Sequence, residues 1–310
     1  MEVTGCRIVK YGKRDAEFSL YDMADLHLGT RGCAKDHIRR DIERIRQDTY
    51  SMFFVGGDYA DWIMPGDPRF DPEAYSVDIT VNDLSKIAAL LTDEIVGLFS
   101  PVRQKCLGFL LGNHELKHMS RNSEMFVHED ICKRLRVPNM RYSGWCDVYF
   151  VHEPGFRGCR ISHSAVPPED YMSRLRVLVH HGVGAANTAG GKLNKLKNLV
   201  DSVEADLVMM GHVHEQFAKS FTRVFPNEDC SKIKSKVTMG LITGSYLRIY
   251  GPGYTSYGEQ RGYFPTSLGA TRARFCPRTR ALIVENRADN IGLAGPQLKR
   301  TENERKAVNE

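Results

Sequence analysis

Short apolar runs, each ending at a polar or charged residue, alternate along this chain with longer stretches in which apolar residues recur every three or four positions. That is the pattern of buried strands alternating with amphipathic helices. Glu17 to Ala24 reads as a strand ending at Asp25. From Asp36 to Tyr50 the residues Ile38, Ile42 and Ile45 mark one face of a helix, and Ser51 to Val55 is a second strand, running into Gly56-Gly57-Asp58. Strand, helix and strand form a β-α-β unit whose strands should be parallel and whose crossover should be right-handed.

A proline-rich loop from Asp61 to Tyr75 precedes a helix over Val81 to Phe99, with Leu84, Ile87, Leu91, Ile95 and Leu98 on one face and Pro101 as its stop. Cys106 to Leu111 is the next strand, and a helix is expected around Ser123 to Arg136. Trp145 to Val151 and Gly158 to His163 read as a hairpin of a second sheet. Arg176 to Val179 is a buried strand ending at His180. A glycine-rich loop, Gly182 to Gly191, leads into a helix with Leu193, Leu196, Val200 and Val203, and Leu207 to Met210 is a further strand. Segments around Val237 to Thr243 and Thr271 to Glu285 are expected to complete the second sheet. Residues 1–297 are read as a single domain and 298–310, rich in Lys, Arg, Glu and Asn, as a mobile tail.

Composition narrows the class. In 310 residues, 42% are apolar and 26% charged, which suits a packed soluble protein. The 43 basic and 38 acidic residues leave +5, too little for net charge alone to imply a polyanion partner. The first twenty residues carry Arg7, Lys10, Lys13, Arg14 and Glu17 with no apolar core, so no secretory signal is read there, and no run is long enough to span a bilayer. Eight cysteines show no Cys-x-x-Cys spacing and read as reduced thiols, not as a disulfide framework.

Five segments carry the chemistry: Asp25-Leu26-His27, Gly57-Asp58, Gly112-Asn113-His114-Glu115, His180-His181 and Gly211-His212-Val213-His214. Each stands at the end of an apolar run, so all five are expected at one carboxyl edge of a sheet, where open α/β folds place their sites. Together they supply ligands for two adjacent cations. Carboxylate, imidazole and amide donors suit Mn²⁺, Fe or Zn²⁺ better than Ca²⁺ or Mg²⁺. Asp58 is the candidate bridge, because one carboxylate can give an oxygen to each of two ions about 3.5 to 4 Å apart. His212 and His214, two positions apart, share a face if the chain there is extended, and so can serve neighbouring ions.

In its order and wording, the series Asp25-x-His27, Gly57-Asp58-x-x-Asp61, Gly112-Asn113-His114-Glu115, His180 and Gly211-His212-x-His214 resembles the calcineurin-like metallophosphoesterase family, most closely its small bacterial and phage-borne members. The resemblance implies an α/β fold in four layers, two mixed sheets forming a β-sandwich flanked by helices, and a cytoplasmic setting. It implies two divalent cations, Mn²⁺ favoured over Fe and Zn²⁺. One would be held by Asp25, His27 and His214 and the other by Asn113, His180 and His212, with Asp58 between. Of the paired histidines, His180 takes the family's position directly after the apolar run, which leaves His181 at the margin. His114 is expected to stabilise the transition state or protonate the leaving group, oriented by Asp61. Glu115 stands where many members have Asp, a change that touches no expected ligand.

The implied reaction is phosphoester hydrolysis by in-line attack of a metal-bridging hydroxide, with no covalent intermediate. The substrate is less legible. Tyr246 to Phe264 interleaves six aromatics with Arg248 and Arg261, and Lys192, Lys195 and Lys197 line a helix edge. Either feature could meet a polynucleotide, yet the many glycines suggest that the rings pack a long loop. A small phosphodiester is ranked first, nucleic acid second and a phosphomonoester third. A noncatalytic scaffold on the same fold is disfavoured because every ligand position is filled. Oligomeric state is not read from the sequence.

Overall fold

The computed structural model describes residues 1–63, 67, 70–76, 78–122, 126–184, 186, 188–251 and 253–285. The tail expected from Leu298, and Pro65 and Pro68 of the long loop, lie outside those residues.

The chain opens with β1 (Glu2–Tyr11), a strand that the local pattern conceals because Gly5, Arg7 and Lys10 interrupt it. Val9 and Tyr11 enter the core nonetheless, and the Arg7 guanidinium is fully buried. Backbone carbonyls make that tolerable: Nε and Nη2 donate to Leu107 O at 3.1 and 2.9 Å, and Nη1 to Thr4 O at 2.7 Å. A buried charge left without such acceptors would be far more costly.

β2 (Phe18–Met23), α1 (Lys35–Gln47) and β3 (Ser51–Val55) form the expected unit, with β2 and β3 parallel. Ile38, Ile42 and Ile45 are buried, as their spacing requires. The second helix is shorter than its apolar pattern. Val81–Lys86 is a 3-10 turn opened by a reciprocal cap between Thr80 and Asp83, and α2 proper is Ile87–Phe99. β4 (Cys106–Phe109) pairs in parallel with β3. Two helices follow where one was expected: α3 (Asn113–Asn122), hidden by its largely polar sequence, and α4 (Val127–Leu135).

Next come β5 (Ser143–His152), β6 (Cys159–Ser164), β7 (Ser173–His180), α5 (Ala189–Ser202), β8 (Leu207–Met210), β9 (Phe217–Pro226) and β10 (Ile233–Ile242). A short α6 (Tyr257–Gln260) precedes β11 (Thr271–Phe275) and β12 (Leu282–Glu285). The strands make a seven-stranded sheet, ordered β6-β1-β5-β7-β8-β10-β9, and a five-stranded sheet, ordered β12-β11-β2-β3-β4.

Two expectations fail here. β5 and β6 are not a hairpin, because β1 inserts between them, parallel to β5 and antiparallel to β6. Residues 271–285 join the sheet of β2, not that of β7 and β8: β11 runs antiparallel to β2, from Thr271 opposite Asp22 to Phe275 opposite Phe18. Both errors have one cause. Alternation tells which face a residue occupies, not which distant strand satisfies its backbone groups.

The sheets face each other over a core that includes Phe18, Phe54, Phe150 and Phe275. Burying such a ring contributes about 1.5–3 kcal/mol. α1, α2 and α4 cover the outer face of the five-stranded sheet and α5 that of the seven-stranded one, which completes four layers. All eight cysteines are unpaired. Among the described residues no helix is long and apolar enough to cross a membrane.

Candidate metal centre

The five motif segments leave two sheets, not one: those after β2, β3 and β4 come from the five-stranded sheet, and those after β7 and β8 from the seven-stranded sheet. The chain turns sharply as it leaves the strands. Asp25 and His27 have φ of 55° and 49°, Asp58 48°, His212 69° and His214 51°, all in the left-handed region. Each such residue other than glycine costs on the order of 1 kcal/mol, so the surroundings must hold it there. They do so partly through a ladder that continues past the strand ends, with Asp25 N donating to Gly57 O at 2.9 Å, His27 N to Asp58 O at 3.0 Å and Leu28 N to Tyr59 O at 3.1 Å. His212 and His214 therefore do not share a face of an extended chain. Two left-handed turns aim them instead.

Donor atoms converge in two groups that share Asp25. Asp25, Asp58, His181 and His212 form one, and Asp25, His27 and His214 the other, with ligand atoms within 4.8 Å of one another in each. Asp25 Oδ1 is 3.2 Å from His214 Nε2, and its Oδ2 accepts the His212 N–H at 2.8 Å. Asp58 Oδ2 is 3.3 Å from His181 Nε2, and its Oδ1 accepts the His114 N–H at 2.8 Å. Asn113 Oδ1 lies 3.2 Å from His181 Nε2.

His181, not His180, is the histidine brought into this cluster. Val177 and Val179 belong to the core between the sheets and Leu178 to the cluster beneath α5. By alternation His180 falls on the α5 side and His181 on the side of the five-stranded sheet, where Asp58 lies. His181 is fully buried, with Nδ1 2.8 Å from Gly56 O. Among the described residues, the His180 ring accepts the Gly182 backbone N–H through Nδ1 at 2.8 Å and stands edge-on to Tyr142.

A third group joins Asp61 to two imidazoles: its Oδ1 is 3.1 Å from His27 Nδ1 and 3.2 Å from His114 Nδ1. His27 Nε2 is buried with no hydrogen-bond partner among the described residues. A proton on Nδ1, given to Asp61, leaves that Nε2 a bare lone pair in the group with Asp25 and His214. An imidazole oriented by an outer carboxylate is the donor that a divalent cation takes, so the residues fit two such ions.

The charges agree with the geometry. Burial alone would raise the Asp58 carboxyl, but His181, His114 and His27 hold it well below the usual range. Desolvation opposes a charge on His114, yet Asp58 and Asp61 lift it to about 9. Burial and the charge of His181 lower His212 to about 4, which leaves a neutral ring. Among the described residues neither oxygen of the buried Asp22 carboxyl has a hydrogen-bond partner. Burial and then Asp25 push Asp22 up to about 8, so it keeps its proton at neutral pH.

Motif reading missed the part played by Glu115, a buried carboxyl group outside the donor groups found among the described residues, which accepts the backbone N–H of Asp58. Its only signal was an acid directly after Asn113-His114.

Comparison with known proteins completes the assignment. No curated protein matches the chain. Among solved structures, a conserved uncharacterized protein of Streptococcus pneumoniae, described as a predicted phosphoesterase, is 12% identical, covering 87% of this chain and 99% of that one at a TM-score of 0.31. A likeness that shallow supports no argument. The profile of the calcineurin-like phosphoesterase family, by contrast, matches residues 23–216, more than half of the chain and every motif segment described above. The chain belongs to the calcineurin-like phosphoesterase family, and with it to the metal-dependent phosphoester hydrolases.

Proposed function

We propose that this protein is a dinuclear phosphodiesterase acting on a small diester. The observation that carries the reading is the pair of donor groups sharing Asp25, one of which includes His27, whose buried Nε2 has no hydrogen-bond partner among the described residues. Asp25, His27 and His214 would hold one cation and Asn113, His181 and His212 the other, with Asp58 between; His181 here replaces His180. Such ions, when bound, make a water nucleophilic near neutral pH and neutralise charge on a phosphoryl oxygen. Mn²⁺ is the favoured metal for this donor set.

The protein's own groups supply the proton. Without metal, Asp58 and Asp61 lift His114 to about 9, and Asp61, which is not among the proposed ligands, fixes its ring through Nδ1. The second ring nitrogen can then donate to a departing alkoxide, a contribution of roughly 10² to 10⁴-fold.

Two observations favour a small substrate over a polynucleotide. Lys192 pairs with Glu215 at 2.8 Å and Lys197 pairs with Asp201, so most of the basic helix edge is already neutralised. The aromatic segment largely packs on itself and its neighbours: Tyr246 is buried and donates to Asp41, Tyr250 donates to Tyr263 O, and Arg248 pairs with Asp36 at 2.7 Å. Exposed Tyr257, with Arg261 over its ring, keeps a nuclease as the second reading. The test is turnover with Mn²⁺ on bis-p-nitrophenyl phosphate, p-nitrophenyl phosphate, cyclic nucleotides and single- and double-stranded DNA. Efficient, salt-insensitive hydrolysis of small diesters is expected. Steeply salt-dependent cleavage of DNA that Arg261→Ala selectively weakens would overturn the small-diester assignment.

A further inference from the structure

Five N–H groups point at the single buried carboxylate of Glu115. Oε2 accepts the backbone N–H of Asp58 at 2.9 Å and of Gly112 at 2.6 Å. Oε1 accepts the backbone N–H of Tyr59 at 3.0 Å, the Trp62 indole at 3.1 Å and, at longer range, the backbone N–H of Ala60 at 3.4 Å. As the third residue of α3, Glu115 would be expected to reach back only to Gly112 and cap its own helix. The other donors belong to the loop after β3, which carries Asp58 in a left-handed conformation and Asp61 beside His27 and His114.

We infer that Glu115 is the positioning residue of the centre, a carboxylate that locks the Asp58–Trp62 loop to the Gly112–His114 turn before any cation arrives. The reasoning rests on the dinuclear reading above. Asp58 must offer its two oxygens in different directions, and its backbone is in a conformation that costs free energy. A neighbouring side chain able to rotate freely could not hold that geometry. A carboxyl group that accepts on both oxygens can, since the two loops cannot separate without breaking several of these bonds at once. The donors are of one kind, so an amide cannot replace the acid: in Glu115→Gln, whichever way the amide is turned, its NH₂ faces N–H groups.

The experiment compares wild type, Glu115→Gln and Glu115→Asp by Mn²⁺ titration calorimetry and by electron paramagnetic resonance, with circular dichroism to establish folding. Wild type is expected to bind two Mn²⁺ with the exchange-coupled signal of a bridged pair. Folded Glu115→Gln should bind the second ion 10- to 100-fold more weakly and lose the coupled signal, while Glu115→Asp, which keeps the charge, should recover coupling. A purely structural role would lower the melting temperature and leave coupling in the folded fraction unchanged. Should Glu115→Gln fail to fold, amide hydrogen exchange of metal-free wild type decides: Asp58, Tyr59 and Gly112 should be strongly protected, and fast exchange there would overturn the inference. Unchanged coupling and affinity in folded Glu115→Gln would overturn it equally. A wild type that binds no Mn²⁺ would instead remove the dinuclear reading, and this inference with it.

Discussion

His181 Nε2 stands 3.3 Å from Asp58 Oδ2, a contact that ties the seven-stranded sheet to the five-stranded sheet at their metal-binding ends. His181 follows β7 and Asp58 follows β3, so neither sheet alone contains the site. Whatever separates the sheets at that edge also separates the donors.

That contact distinguishes the paired histidines experimentally. His181→Ala should leave at most one tightly bound Mn²⁺ per chain and remove nearly all turnover. His180→Ala, whose ring meets Tyr142 and the Gly182 N–H, should keep both ions. Metal content after gel filtration reads the difference, and loss of an ion only in His180→Ala would reverse the assignment.

The proton-donor role proposed for His114 predicts a separation of binding from chemistry. His114→Gln should retain two Mn²⁺ and lower kcat by roughly 10² to 10⁴-fold, with KM for bis-p-nitrophenyl phosphate changing little. Asp61→Asn should follow it in part, because Asp61 orients both His114 and His27. Loss of metal from His114→Gln would make that ring a ligand instead.

Two glycines make opposite predictions. A Cβ on Gly112 would lie 2.0 Å from Asp58 Oδ1 and 2.3 Å from Asp58 N, so Gly112→Ala must displace Asp58, the proposed bridge, at a cost of about 1–3 kcal/mol. Gly97 lies within α2 with nothing within 4 Å of its added Cβ, and Gly97→Ala should stabilise by about 0.5–1 kcal/mol. Urea denaturation measures both. A Gly112→Ala protein with wild-type stability and metal affinity would show that Asp58 can move freely.

His128 predicts an acid-side loss of stability away from the metal. It is buried, with Nδ1 3.0 Å from the Tyr59 hydroxyl and Nε2 2.9 Å from Asn139 Oδ1, and burial lowers it to about 4. The folded state thus resists a proton that the unfolded chain takes up near pH 6.5. Its contribution is complete above about pH 6.5 and falls as pH drops toward 4, by up to about 3 kcal/mol. The stability gap between wild type and His128→Gln should therefore narrow between pH 7 and pH 4.5. A gap independent of pH would mean that His128 titrates alike in both states.

The sequence by itself singled out most of the donor side chains that the fold brings together, and roughly where the strands that deliver them end. Asp25, His27, Asp58, Asn113, His212 and His214 could be found because each combines a donor side chain with a position just past an apolar run, and β3 and β8 could be bounded to the residue. Those properties are local. Tertiary structure brought His181 and not His180 into the cluster: alternation through Arg174, Leu175, Arg176 and Val177 puts the two histidines on opposite faces, and only the packing of the five-stranded sheet against one face decides which of them meets Asp58. It also decided that β1 separates β5 from β6, that β11 lies against β2, and that Glu115 gathers donors from a loop more than fifty residues earlier in the chain. In each case the deciding interaction joins groups far apart in sequence, and residue pattern records only which groups need partners, not which partners the folded chain supplies.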